Sequence, residues 1–394
     1  MSAILEAVET RPLSVETVRR IAASVAGPAA DAVDREARFP SEAIDALKQA
    51  RAMSALCPPE YGGIGCGMVD LAAMCEALGE YCASAAMVFA MHQIQVASIL
   101  RHAADQPYYQ RYLADLGREQ FLIGSATSEV GIGGEMRASK CAVVHDGAGR
   151  FTLDKDCTTI SYGAYADDIL FQARRSADAP ANDQIFVLVR RANRTVTQKG
   201  VWDTLGMRGT CSPPFLLHSA GDDGQIFATP FGDVASETQV PFSHVLWASV
   251  WLGIASGAVR RARAFVRQQA RAKPGAVPPS ALRLAEVSSA LQSMRTNVHE
   301  VARECQALLR ADGRGALSSI SFALKMNNLK ISASQMAASI SHQALAICGI
   351  AGYKNDSPFS VGRYVRDSLS AALMVSNDRI YATNASMLLV LKDD

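Results

Sequence analysis

The spacing of apolar positions divides the chain into three regions. In residues 1–120 apolar side chains recur with a helical period. One face carries Val69, Ala72, Ala73, Cys75 and Leu78. The stretch Ala83–Leu100 is apolar on nearly every side, which predicts a central helix and not a surface one. The pattern predicts an N-terminal helical domain over residues 1–120.

The pattern changes between residues 121 and 240. Short runs with strand composition are separated by clusters of Gly, Asp, Asn and Pro; the runs are FLIGSA, KCAVV, RFTLDK, DILFQARR and QIFVLVRR. No long helical pattern separates them, which disfavours a parallel Rossmann sheet. This region is predicted to be a middle antiparallel β-barrel or sandwich.

Helical periodicity returns from residue 241 to residue 394. Four long segments rich in Ala, Ser, Leu and Arg cover residues 245–271, 279–311, 315–348 and 360–391. Gly and Pro mark the short breaks between them. Long helices with short connections are typical of an antiparallel four-helix bundle. The fold class is therefore predicted as mainly α with a central β domain.

Composition and charge narrow the function classes. The 394 residues contain 39 basic and 38 acidic side chains, so a nucleic-acid partner is not expected. The longest apolar run, Val245–Val259, is too short to span a bilayer, and the N-terminus lacks a secretion-signal pattern. The 9 cysteines stand singly and the 7 histidines lack ligand spacing. We expect a cytoplasmic protein with reduced thiols, no metal and no membrane partner.

Five motifs follow one another along the chain. They are Pro59-Glu60-Tyr61-Gly62-Gly63; Thr127-Ser128-Glu129 with Gly131, Gly133 and Gly134; Ile160-Ser161-Tyr162-Gly163 with Ala166-Asp167; Leu205-Gly206-Met207-Arg208-Gly209-Thr210; and Gly349-Ile350-Ala351-Gly352-Tyr353 followed by Pro358 and Arg363–Asp367. In this order the motifs resemble those of the acyl-CoA dehydrogenase superfamily of flavoproteins, over nearly the whole chain. The resemblance implies FAD as cofactor and a homotetramer or homodimer.

The resemblance also implies a set of cofactor contacts. Short hydroxyl side chains and backbone N–H groups can hold the polar edge of a flavin ring. Thr127 is placed at the pyrimidine side and Ser161 near N5, with Ser128, Gly133 and Ile160 beside them. The alternative is that the hydroxyls only satisfy backbone groups at strand ends.

In this family a neighbouring subunit helps to hold the dinucleotide. Arg271 stands at the position of an arginine that binds the pyrophosphate, since a guanidinium can donate two parallel hydrogen bonds. Gln343, Gly349 and Gly352 match the partner segment, and Asn377 stands where the family has threonine. Arg271 could equally be a solvated cation at a helix end.

The sequence departs from the family at the catalytic base. Members remove the α-proton of an acyl thioester with a carboxylate that must lie within hydrogen-bond reach of that carbon. The usual position is nine residues after the Arg of the Arg-Asp pair, which is Val375 here, counted from Arg366. The alternative position on the first bundle helix corresponds to Ser243–Ala248, which contains no carboxylate. Both usual positions lack the base.

Three explanations stay open at this point. A displaced base, Asp378 or His244, could support ordinary dehydrogenation. The flavin could instead react with O2, which needs a dry pocket and no α-proton carboxylate. The protein could also be a flavin-binding scaffold without turnover.

Further side chains are predicted to face the reaction. His92, in a helix that the family places beside the substrate cavity, is a candidate base, with Ser161 and Asp378 as other catalytic candidates. Arg208, Trp247 and Val375 are predicted substrate contacts together with His92. The alternatives are that His92 is a core histidine bonded to a backbone carbonyl and that Trp247 is core packing.

The predicted function is an FAD-dependent oxidoreductase acting on an acyl thioester of CoA or of a carrier protein. The predicted reaction is dehydrogenation, oxygenation with O2, or both. The predicted partner is a flavin reductase or an electron-transfer flavoprotein. The enzyme alternative is a flavin-dependent monooxygenase of a small molecule, and the non-enzyme alternative is a flavin-binding protein.

Overall fold

The three predicted regions are present in a computed structural model of the protein, which describes residues 13–132, 135–136, 138–311 and 313–391. Helices precede and follow a central pair of β-sheets. The predicted fold class, mainly α with a central β domain, is confirmed.

The N-terminal region consists of helices that are bounded by local signals. The described helices are α1 (Val15–Ile21), α2 (Gly27–Arg35), α3 (Ser41–Gln49), α4 (Met68–Gly79), α5 (Ala83–His102) and α6 (Pro107–Glu119). Ser14 caps α1 by accepting a hydrogen bond from the Thr17 backbone N–H at 3.1 Å. Pro107 occupies the first turn of α6, where no N–H is needed. Helix α5 is buried almost all round, as its composition predicts.

Seven strands form two sheets in the middle region. They are β1 (Ile123–Ala126), β2 (Val144–His145), β3 (Arg150–Cys157), β4 (Asp168–Arg174), β5 (Gln184–Arg190), β6 (Arg194–Gln198) and β7 (Phe215–Asp222). One sheet has the order β1-β4-β5 and the other β2-β3-β7-β6. Strands β1 and β4 pair in parallel, whereas an antiparallel arrangement was expected. The parallel pair is possible because the chain between them passes through the second sheet, which makes the long connection that parallel strands require.

Helices resume at Phe231, N-terminal to residue 241, where the C-terminal four-helix bundle is predicted to begin. Its described helices are α7 (Phe231–Val234), α8 (Val240–Ala272), α9 (Ser280–Arg310), α10 (Arg314–Leu317), α11 (Ile320–Cys348), α12 (Ile350–Tyr353), α13 (Gly362–Leu369) and α14 (Asn377–Leu388). Three of the four predicted long helices are present as α8, α9 and α11. The prediction of one long helix over residues 360–391 is wrong, because the chain turns between α13 and α14. Val375 lies in that turn with φ of 50°.

Helix α8 is the centre of the hydrophobic core. It packs against α4, α5, α9 and α11, so its apolar residues contact both helical regions. A π-helical turn, Ala235–Gln239, joins α7 to α8. Two helical stretches, Ala83–His102 and the joined Phe231–Ala272, are long and apolar enough to cross a bilayer. However, 89% and 100% of their most apolar windows are buried inside the protein. They have the burial of core helices.

Candidate functional site

Two of the sequence motifs contact each other across the fold. The turn at Gly206 packs against α13 so closely that a Cβ there would lie 2.2 Å from the Arg366 carbonyl oxygen. The backbone N–H of the next residue, Met207, donates to Asp367 Oδ1 at 2.7 Å. Arg366 forms an ion pair with Asp34 from α2. The Arg-Asp pair therefore fixes the Leu-Gly-Met-Arg-Gly-Thr turn against the N-terminal helices.

The Leu-Gly-Met-Arg-Gly-Thr turn also fixes the segment that carries Ser161. The backbone N–H of Tyr162 donates to the Thr210 carbonyl at 2.7 Å, and that of Ile160 donates to the Pro213 carbonyl at 3.3 Å. Tyr162 has φ of 45°, a left-handed conformation that a bulky residue rarely adopts. Its hydroxyl donates to the Ile123 carbonyl at 3.0 Å, which ties the turn to β1.

The hydroxyl of Ser161 is left with a hydrogen to donate. Ser161 Oγ accepts a hydrogen bond from Ser212 Oγ at 3.0 Å, and within the described ranges its own hydrogen has no acceptor. Thr127, which follows β1 and is partly exposed, likewise has no hydrogen-bond partner for its hydroxyl among the described residues. Unsatisfied hydroxyl groups at this position suit the polar edge of a flavin ring, so these residues fit the cofactor that the family implies.

The Ser128 hydroxyl, unlike that of its neighbour Thr127, bonds to the backbone. Ser128 Oγ donates to the Thr159 carbonyl at 2.5 Å and accepts from the Thr159 backbone N–H at 3.1 Å. These bonds join the first cofactor segment to the residue before Ile160, and the cofactor contact of Ser128 stays a prediction. Gly133 lies outside the residues that the structure describes.

Glu129 is a buried residue of this segment for which the sequence suggested no role. Its carboxylate accepts from the Cys141 N–H at 2.7 Å, the Lys140 N–H at 3.1 Å and Ser139 Oγ at 2.8 Å. Lys155 Nζ lies 3.6 Å from Glu129 Oε2, and the two side chains are 0% and 5% exposed. Glu129 therefore closes the loop after β1 through a buried ion pair. The sequence feature that could have revealed this role is an acidic residue in an otherwise Gly-rich segment.

His92 lies in the core, with both ring nitrogens bonded to the backbone. Its Nε2 is 2.8 Å from the Met53 carbonyl oxygen, and its Nδ1 accepts from the Ile123 N–H at 3.0 Å. These partners require the neutral ring with hydrogen on Nε2. Burial, partly offset by the bond to Met53, lowers its pKa to about 4. Proton transfer by His92 would break one of these bonds, and the catalytic role stays a prediction.

The low pKa of His92 predicts acid sensitivity. The unfolded chain takes up a proton at this histidine below about pH 6.5, while the folded protein keeps it neutral until about pH 4, so the free energy of unfolding falls over that interval. His92→Gln cannot be protonated. Urea unfolding at pH 7 and pH 4 should show the stability advantage of the wild type over the variant shrinking by about 3 kcal/mol. A constant difference would mean that His92 titrates normally when folded.

The turn at Val375 is held by a buried lysine. Lys330, on α11, is 0% exposed; its Nζ donates to the Val375 carbonyl at 2.8 Å and to Asn377 Oδ1 at 2.7 Å. Burial lowers its pKa to about 8, and no carboxylate among the described residues pairs with it. Asn377 also donates to Ser334 Oγ at 3.0 Å. Both polar groups of the Asn377 side chain thus have protein partners.

The other predicted residues near this turn differ in exposure. The Val375 side chain is 39% exposed, and Asp378 is exposed in the first turn of α14, where a carboxylate stabilises the helix dipole. The sequence pattern alone did not single out Lys330. The sequence feature that could have revealed Lys330 is a single cation on an apolar face of α11. The residues at helical spacing from it are all buried: Met326, Ala333 and Ala337.

The facing helix α8 presents a histidine and two tryptophans. Burial, reinforced by the charge of Lys330, lowers the pKa of His244 to about 3. The ring of His244 stacks on Trp247 at a centroid distance of 6.0 Å, and Lys330 Nζ lies 5.7 Å from the Trp251 ring centroid. The indole N–H groups of both tryptophans are buried and lack partners among the described residues. No carboxylate was predicted on this stretch, and none is present in its sequence.

The residues predicted to contact a partner subunit lie near the C-terminal ends of α8 and α11 and in α12. Arg271 is exposed near the end of α8. Gln343 donates to Ser339 Oγ at 3.1 Å on α11. Gly349 follows the end of that helix with a φ of 56°, a positive value that suits glycine, and Gly352 is buried in α12. Their cofactor contacts stay predictions.

Arg208, a predicted substrate contact, bonds to the protein itself. Its guanidinium donates to the Asp34 carbonyl at 2.8 Å, to the Thr204 carbonyl at 2.7 Å and to Asp203 Oδ1 at 2.8 Å. These bonds fold the turn onto α2, so a substrate contact would have to replace one of them. That role stays a prediction.

Comparisons with known proteins agree with this architecture. Sequence models of the acyl-CoA dehydrogenase N-terminal domain and C-terminal domain match residues 9–120 and 233–375. The cyclohex-1-ene-1-carbonyl-CoA dehydrogenase of Syntrophus aciditrophicus (strain SB) is 25% identical over 387 residues, which cover 95% of this chain and 88% of that protein.

Two solved structures share the fold at lower identity. Butyryl-CoA dehydrogenase from Megasphaera elsdenii aligns with a TM-score of 0.82 at 18% identity and covers 99% of both chains. FMN-bound TdsC from Paenibacillus sp. A11-2, a dibenzothiophene monooxygenase, aligns with a TM-score of 0.82 at 20% identity, over 95% of this chain and 96% of that chain.

Proposed function

The chain belongs to the acyl-CoA dehydrogenase family, and from this premise we propose that it is an FAD-dependent oxidoreductase acting on an acyl thioester of CoA or of a carrier protein. We further propose that it works without the carboxylate that most members use, and that its reduced flavin reacts with O2. The protein would act as a homotetramer or homodimer.

The turn at residue 375 carries this proposal. The position that would supply the base holds valine, and the residue bonded to its carbonyl is the buried cation Lys330. A positive charge at this place opposes the accumulation of a proton and favours negative charge nearby. His244, on the facing helix, is a weak proton acceptor because its pKa is about 3. The buried side chains around the turn therefore offer little basicity, and the carboxylate of Asp378 beside it is exposed in the first turn of α14.

The described residues can nevertheless serve other steps. FAD supplies two-electron redox chemistry when it is bound. Ser161 can donate a hydrogen bond to the ring edge, and Thr127 can bind the pyrimidine side. Trp247, Trp251 and Lys330 are buried and can keep water from the turn at Val375, where the charge of Lys330 favours negative charge nearby.

Anaerobic mixing of the FAD-loaded protein with a panel of acyl-CoAs tests the proposal. We expect slow bleaching of the flavin absorbance, or none, together with faster consumption of O2 by the chemically reduced protein when a thioester is present. Rapid anaerobic bleaching by a thioester would contradict the oxygen proposal and establish ordinary dehydrogenation. Protein that cannot be loaded with flavin would contradict every enzymatic version.

A second candidate is a monooxygenase of a small molecule. The structural similarity to TdsC and the absence of a carboxylate in the 243–248 stretch and at residue 375 favour it. To discriminate the two candidates, the rate of O2 consumption by the reduced protein is measured with a thioester and, separately, with heteroaromatic compounds such as indole. The two rates are then compared. Stimulation by the heteroaromatic compounds alone would favour this candidate.

A further inference from the structure

Two buried hydroxyl groups lie behind Ser161. Thr210 and Ser212 are 4% and 3% exposed. Ser212 Oγ lies 3.0 Å from Ser161 Oγ and 2.9 Å from Thr210 Oγ1, and Thr210 Oγ1 lies 2.9 Å from the Met207 carbonyl oxygen. The three hydroxyls therefore form a continuous row, which we call the hydroxyl row, from the Met207 carbonyl to the position predicted for flavin N5.

The backbone around the hydroxyl row is closely fixed. Met207 and Cys211 have φ of 52° and 44°, so two left-handed residues flank the short turn that carries Thr210. The Tyr162 N–H bond to the Thr210 carbonyl and the Met207 N–H bond to Asp367 hold this turn on both sides. Heavy atoms in such a setting have little freedom, whereas a hydroxyl hydrogen can rotate to a new acceptor.

The middle hydroxyl has a choice of acceptors. Ser212 Oγ can donate to Ser161 Oγ, to Thr210 Oγ1 or to the Thr210 carbonyl, which lies at 3.4 Å. When Ser212 donates to Ser161, the Ser161 hydrogen points to an external acceptor. When Ser212 donates to Thr210, Ser212 can accept from Ser161, and Ser161 is free to accept from an external donor. Each hydroxyl hydrogen has an acceptor in both arrangements.

We propose that Ser212 is a positioning residue that lets Ser161 reverse its hydrogen bond when the flavin changes redox state. Ser161 donates to N5 of the oxidised ring, which is an acceptor, and accepts from N5–H of the reduced ring, which is a donor. The inference rests on Ser161 lying at N5 and is independent of the thioester proposed above.

Removing the Ser212 hydroxyl affects the two redox states unequally. In the oxidised state Ser161 no longer receives a hydrogen bond from Ser212, but its own hydrogen still has N5 as its acceptor. In the reduced state the Ser161 hydrogen loses its acceptor, and a half-buried donor that the bound ring would cover is then left unsatisfied, which carries a desolvation cost. Ser212→Ala should therefore disfavour reduction and make the midpoint potential more negative.

Spectroelectrochemical titration of the FAD-loaded, substrate-free protein tests this. For Ser212→Ala we expect an about tenfold smaller equilibrium constant for reduction, which is about 30 mV for a two-electron couple. Ser212→Thr retains the hydroxyl and should keep the wild-type potential. Ser219→Ala is the matched control, because it removes another buried hydroxyl, in β7, whose oxygen has no partner in the described part of the chain.

A second variant keeps the test decisive if Ser212→Ala folds or loads poorly. Thr210→Val removes one of the acceptors of Ser212 and leaves the Thr210 carbonyl, so a smaller negative shift of the same sign is expected. A wild-type potential in either variant, or an equal shift in Ser219→Ala, would overturn the inference.

Discussion

Val375→Glu is expected to raise the rate of anaerobic flavin reduction by a matched acyl-CoA at least about 100-fold, because a positioned general base contributes about 10²–10⁴-fold. The φ of 50° at this residue is less unfavourable for glutamate than for a β-branched side chain. Lys330 bonds to the carbonyl of the same residue and would help to keep the new carboxylate ionised. Stopped-flow absorbance of the oxidised flavin measures the rate.

Val375→Gln is the matched control for this gain. Glutamine has nearly the same size and can form hydrogen bonds, but it cannot accept the α-proton, so its reduction rate should stay at the wild-type level. If both variants bind FAD and neither changes the rate with any acyl-CoA, residue 375 does not lie at the α-carbon. A gain with glutamine equal to that with glutamate would point to a change in packing instead of a base.

Glu129→Ala is expected to lower the free energy of unfolding by about 3–5 kcal/mol, because it leaves the buried Lys155 ammonium without its counter-charge. The backbone N–H groups of Lys140 and Cys141 would also lose their acceptor. Urea unfolding of the flavin-free protein measures the loss. Glu60→Ala, at an exposed site, should stay within about 0.5 kcal/mol of wild type.

A double-mutant cycle identifies the source of that loss. In a Lys155→Met background the buried cation is absent, so Glu129→Ala should cost less than it does in the wild type. Glu129→Gln retains a hydrogen-bond acceptor and should be less damaging than alanine. If the cost of Glu129→Ala is the same in both backgrounds, the ion pair contributes nothing and the backbone bonds alone explain the loss. Variant protein that does not fold would be replaced by the glutamine variant in the cycle.

The periodicity of apolar residues was enough to predict the three regions and most of their helices. Helix α5 illustrates this, since nearly complete burial follows from its nearly complete apolar surface. The break between α13 and α14 was missed because residues 370–376 contain neither glycine nor proline, and the interruption instead uses a left-handed valine. Local propensity does not reveal a conformation that distant contacts, such as the Lys330 bond, hold in place.

The sequence by itself determined the family resemblance, the position of Ser161 in its motif and the aliphatic residue at position 375, because these depend only on the order of residues. The tertiary structure alone decided which polar groups meet. It bonded His92 to two backbone groups, buried Lys330 beneath the Val375 turn and aligned Ser212 with Ser161. Hydrogen bonds act over about 3 Å, and residues tens of positions apart reach that distance only when the whole chain has packed.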